Sequence, residues 1–120
     1  MAISYKDLVV WQKSMDMTVQ VYQLSEKFPT QERYALTSQI TRAAASVPAN
    51  IAEGSGRGSV KDYAHFLSIA RGSLMETETF LLLAVRLKYI NEIDTITTFS
   101  LADEVARMLN SLRSKLISSI

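Results

Sequence analysis

The chain has 120 residues, of which 48% are hydrophobic and 21% charged, with four glycines and two prolines; this excludes disordered and fibrous classes and predicts one domain spanning residues 1–120. Thirteen basic residues against twelve acidic leave a net charge of +1, which excludes a global basic field, and the lack of cysteine excludes disulfides and thiolate metal sites and agrees with a reducing, cytoplasmic setting. Lys6 and Asp7 interrupt the apolar stretch an export signal requires, and the longest apolar run, Phe80 to Val85, falls far short of the roughly 18 to 20 residues needed to span a bilayer, so no membrane partner is expected.

Four helices are predicted, over residues 8–27, 31–54, 60–89 and 94–118. In the first, Leu8, Trp11, Met15, Val19 and Tyr22 recur at spacings of three and four, and this row is read as the buried face. Phe28-Pro29 closes the segment, and Thr30 is placed to cap the next. The second carries Leu36, Ile40, Ala44, Val47 and Ile51 on one face across Pro48. Proline has no amide proton for the carbonyl of Ala44 and its ring crowds that carbonyl, so the segment is expected either to bend near Ala45-Ser46 or to stop and restart there.

The stretch Gly54-Ser55-Gly56-Arg57-Gly58-Ser59 forms the central connection. Ser59 followed by Asp62 resembles a capping box opening the third helix. Its seam comprises Tyr63, Phe66, Leu67, Ala70, Leu74, Thr77, Leu81, Ala84 and Leu87. The fourth is expected to start at Asp94 or Thr95 after Asn91-Glu92, and repeats Ala102, Val105, Leu109, Leu112 and Leu116 in heptad fashion. Short connections between amphipathic helices predict an all-α, antiparallel up-down-up-down four-helix bundle. Apolar residues outside these stripes, namely Val9, Val10, Met17, Val21, Leu82, Leu83 and Val85, are expected either to widen the core of a monomer or to give the helices a further packing neighbour outside it.

Catalytic chemistry finds no support, and no catalytic, cofactor-binding or metal-ligating residues are assigned; the chain is not expected to be an enzyme. A di-iron carboxylate bundle requires two Glu-x-x-His pairs. This chain has one histidine, and Asp62 with His65 supplies a single half-motif at most. The glycine-rich stretch follows a helix rather than a strand and lacks a Gly-Lys-Ser/Thr ending, so it is neither a dinucleotide fingerprint nor a P-loop. Glu76 and Glu78 are two apart, which directs them to different sides of a helix. Trp11, Phe66 and Phe80 occupy packing positions rather than a base-stacking platform.

A longer pattern runs through Phe28-Pro29, Glu32, Tyr34, Leu36 to Ile40, Arg42-Ala43-Ala44, Ser46-Val47-Pro48, Asn50 to Gly54 and Arg57, then Phe66-Leu67, Ile69-Ala70, Gly72-Ser73, Glu76 and Glu78. This pattern resembles the bacterial 23S ribosomal RNA intervening-sequence protein family, which includes accessory variability proteins of diversity-generating retroelements, and the resemblance covers nearly the whole chain. It implies a four-helix protomer assembling into a ring-like homopentamer with no known catalytic site; two functions stay open, an oligomeric scaffold for a protein partner, which the surplus apolar residues support, and a multivalent binder of structured RNA. The near-neutral charge departs from the basic retroelement type.

The signature residues Arg42, Pro48, Asn50, Glu53 and Gly54 are read as structural. Arg42 is expected to pair with Glu53 or with helix ends, Asn50 to serve carbonyls freed near Pro48, and Gly54 to terminate its helix. Nucleic-acid contact, if made, is assigned to Arg57, Lys61 and Arg71, together with backbone amides of the glycine-rich turn.

Overall fold

The computed structural model describes residues 4–120; Met1–Ile3 of the N-terminal reading lie outside the described residues. It contains helices α1 (Val9–Ser25), α2 (Leu36–Ser55), α3 (Val60–Arg86) and α4 (Ile96–Ser118), with short 3-10 turns at Tyr5–Asp7, Thr30–Glu32 and Glu92–Thr95. Each helix packs on the next in sequence and α4 closes against α1. Cross-links between α1 and α4 join Lys13 to Glu104 and Gln20 to Thr98, and just past the end of α1 Lys27 meets Asp94 of the turn before α4, so these helices run in opposite directions. The body measures 46 × 25 × 21 Å, its long axis set by the 27 residues of α3, about 40 Å of helix. No helix of the described residues is long and apolar enough to cross a membrane.

The helix ends differ from the sequence reading for local reasons. The 3-10 turn ends before Ala35, whose backbone is non-helical, and α2 starts at Leu36, where Glu32 Oε1 accepts the amide of Leu36 at 3.3 Å. Tyr89 Oη donates to the other oxygen of Glu32 at 2.7 Å, fixing this carboxylate and holding the phenol above its usual range. At the end of α3, Lys88 turns left-handed with φ 65. Its amide and that of Tyr89 reach back to Val85 and Ala84, the paired bonds of a Schellman closure. Ser59 Oγ accepts the amide of Asp62, while the reciprocal capping box belongs to Asn91 and Asp94 before α4.

The interior has two apolar clusters. One gathers Val10, Met17, Val47, Ile51, Leu67, Leu74, Val105 and Leu109. The other gathers Val21, Leu24, Phe28, Leu36, Ile40, Leu81, Ala84 and Ile90. Buried Thr77 and Thr98 stand at the joint: Thr77 Oγ1 donates to the carbonyl of Ser73 and Thr98 Oγ1 to Gln20 Oε1, so neither hydroxyl is left unpaired in a dry core.

The stripe assigned to α2 is buried throughout, and α3 buries its seam from Leu67 to Ala84. The stripe assigned to α1 is corrected. Met15, Val19 and Tyr22 are 40%, 53% and 49% exposed, while Val10, Met17, Val21 and Leu24 form the core face. Both rows satisfy helical spacing, and the row that packs is the one interrupted by small Ser14, which is fully buried with its hydroxyl donating to the carbonyl of Trp11. Leu87, beyond the last turn of α3, is also exposed.

Candidate interaction surfaces

The α2–α3 seam is built from small and hydrogen-bonding residues. α2 passes unbroken through Pro48, so it does not stop and restart. The carbonyl of Ala44, which proline cannot serve, accepts from Thr18 Oγ1 of α1 at 3.1 Å, a proton shared with the carbonyl of Ser14. Asn50 therefore does not fill the expected role. Its amide donates to the carbonyl and the hydroxyl of Ser46, both at 2.8 Å, and Ser46 Oγ meets Ser73 Oγ across the seam at 2.9 Å.

Gly54 is likewise corrected from helix terminator to close-approach residue. The helix continues to Ser55, and a Cβ on Gly54 would stand 2.8 Å from Phe66 Cβ and 3.2 Å from the carbonyl oxygen of Tyr63. Arg42 and Glu53 do not pair: Arg42 reaches Ser38 Oγ at 3.5 Å, and Glu53 pairs with Arg57 at 3.5 Å. Arg42, Gln39, Ser46, Ser73, Glu76 and Phe80 line a groove of about 310 Å³ along this seam. Glu78 points elsewhere; burial, reinforced by Asp103 of α4, pushes its carboxyl above the usual carboxylate range.

Arg57, Lys61 and Arg71 are all exposed but do not converge. Arg57 is engaged by Glu53 and lies over the Phe66 ring at 4.8 Å. Arg71 lies about 15 Å along α3 from Lys61. It shares a cleft of about 210 Å³ with Arg113 of α4, a pairing of basic residues that sequence reading missed and that the antiparallel register makes visible. The turn's amides are partly committed: Gly56 N donates to Ala52 and Glu53 carbonyls, and Arg57 N to that of Gly54. His65 is exposed and meets the edge of Phe66. Among the described residues no three His, Cys, Asp or Glu side chains converge as metal ligands.

The remaining features are apolar. Between the end of α3 and the start of α4 runs an open groove of about 820 Å³, walled by Leu82, Leu83, Val85, Ile96 and Phe99 and edged by Thr79, Arg86, Glu92 and Thr95. Leu82 is 56% and Ile96 62% exposed. The exposed row Met15, Val19 and Tyr22 runs along α1.

Against known proteins, the family model described as 23S rRNA-intervening sequence protein matches residues 6–111. The fold is similar to the crystal structure of a protein with unknown function from the S23 ribosomal protein family of Bacteroides thetaiotaomicron VPI-5482. The TM-score is 0.80 at 29% identity, covering 88% of this chain and 98% of that one. No curated protein matches.

Proposed function

The chain belongs to the 23S rRNA-intervening sequence protein family, and we propose that it acts as a non-catalytic cytoplasmic scaffold that assembles with itself, as the ring-like homopentamer implied by the family resemblance, and recruits a partner protein. The observation that carries this reading is apolar surface in continuous rows: the α1 row and the α3–α4 groove each hold large side chains about half exposed. Contiguous apolar patches of this kind mark interaction sites. Native mass spectrometry of gently purified protein at low salt, with and without nuclease, tests it. Five bare subunits are the expected result; a bare monomer overturns the reading.

A second reading, a binder of structured RNA, is favoured by the Arg71–Arg113 cleft and by exposed Lys61 and Arg57 on the same helix or the turn before it. A ring would multiply weak cationic contacts by the number of subunits. Nuclease-sensitive mass on the assembly supports it. Charge reversal of Arg57 and Lys61 is then expected to lower RNA affinity and flatten its salt dependence; unchanged binding by a folded variant sinks this assignment.

A further inference from the structure

We propose that the protein assembles head to tail, with the outer face of α1 on one copy seated in the α3–α4 groove of the next. This rests on the self-assembly proposed above and names the two halves of its contact.

The two patches differ in shape. Met15, Val19 and Tyr22 are spaced by four and three, which aligns them as one ridge over two turns, about 10 Å. The groove is concave, and its α3 wall from Thr79 to Arg86 has the same two-turn length. A ridge of alternate anchors on one helix fitting an apolar groove between two others is a recurrent mode of helix recognition.

They also face opposite ways. On α1, Thr18 reaches α2, whereas Lys13 and Gln20 reach α4. At 100° per residue the Met15–Val19–Tyr22 ridge occupies the remaining arc, on the Thr18 side and therefore toward the α1–α2 face. The groove opens on the α3–α4 face, across the bundle. Patches on opposite faces cannot both meet one neighbour through a two-fold axis. Each copy must use its ridge on one neighbour and its groove on another, a heterologous contact that closes into a ring when the rotation between copies permits.

Charge favours a second copy as the occupant. The ridge is edged by Asp16, Glu26 and the amides of Gln12 and Gln23, all exposed, and the groove by Arg86 and Glu92. Among the described residues neither Glu26 nor Arg86 has an ion-pair partner within the chain. The groove's cation thus finds a carboxylate on the ridge, and its acid finds side-chain amide donors.

The test uses two single variants of the full chain, Val19→Asp on the ridge and Leu82→Asp in the groove. Both positions are more than half exposed, so circular dichroism should report a retained fold. Each variant is expected to lose self-association by at least about a hundredfold in sedimentation velocity. Mixed in equal amounts they should form a complex of two subunits, because the first keeps an intact groove and the second an intact ridge. If the wild type assembles but either variant assembles equally well, or the mixture stays monomeric, the pairing of these faces is overturned. If the wild type is itself a monomer, the underlying scaffold reading fails instead. Tyr22→Lys with Ile96→Lys repeats the experiment should either aspartate variant fold poorly.

Discussion

The two seams that α3 makes with its sequence neighbours are built on different principles. Against α2 the contact is close: a missing Cβ at Gly54 admits Phe66, and Ser46, Ser73 and Asn50 form one hydrogen-bonded set across and beside the seam. Against the start of α4 the contact is open, and large side chains such as Leu82, Leu83 and Ile96 stay in solvent around an 820 Å³ groove. Small residues let backbones approach until hydrogen bonds and dispersion contacts saturate. Large residues at a splayed seam leave apolar area whose burial awaits another surface. The first arrangement stabilises the chain itself, and the second leaves the exposed apolar surface on which the proposed association rests.

The widest separation between the seams should come from Gly54→Val against Leu82→Ser. Adding a branched side chain where Phe66 Cβ already stands at 2.8 Å is expected to cost about 2 to 3 kcal/mol in urea unfolding. The Leu82 change, at an exposed position, should stay within about 0.5 kcal/mol when measured at concentrations that keep the chain monomeric. Equal effects would erase the contrast. Next, Ser46→Ala removes an acceptor of Asn50 and the partner of Ser73, and is expected to cost about 1 to 2 kcal/mol. A double-mutant cycle with Ser73→Ala should show a coupling of at least about 0.5 kcal/mol, and strict additivity would mean that the hydroxyl contact contributes nothing.

A gain is expected at the end of α3, near the open seam. Lys88 holds a left-handed conformation in a Schellman closure, which costs a side-chain-bearing residue about 1 kcal/mol or more. Lys88→Gly should stabilise the fold by about 0.5 to 1 kcal/mol, after its greater unfolded-state entropy is counted; a lower thermal midpoint would contradict the geometry. The smallest effect concerns the link between α1 and α4. The Lys13 ammonium, 2.6 Å from Glu104 Oε2, holds that carboxyl below its usual range by hydrogen bonding first and charge second. A carboxyl depressed in the folded state contributes stability above its unfolded pKa and loses it as pH falls through the folded value. Lys13→Met should therefore return the Glu104 titration, followed by NMR, toward the ordinary carboxylate range and remove its share of the acid dependence; an unmoved titration would show that the pair does not persist in solution.

Much of the architecture was legible in the chain because its determinants are local. Leu36, Ile40, Ala44, Val47 and Ile51 form one apolar row with Thr37, Gln39, Arg42 and Glu53 on other sides of α2, so helix type and buried face followed from period together. The serine-capped start of α3 and its seam from Leu67 to Ala84 were legible for the same reason. The signature block was readable as a pattern, but the work of its members was not. Gly54 near a helix end reads as a terminator, whereas its reason is a phenylalanine arriving from another helix. Pro48 announces a carbonyl without its helical partner, but the donor, Thr18, lies on α1, where no local rule could find it.

By itself the sequence determined the class of the protein: four helices, their approximate spans and their apolar supply, all consequences of spacing and composition. Only the tertiary structure decided which of the two rows on α1 is core. Trp11, Met15, Val19 and Tyr22 satisfy helical spacing as well as Val10, Met17, Val21 and Leu24 do. Periodicity measures whether a helix has an apolar face, and it is silent on which face the neighbouring helices leave room for. That choice also turned the other row into surface, and with it placed the ridge and groove on opposite sides of the bundle.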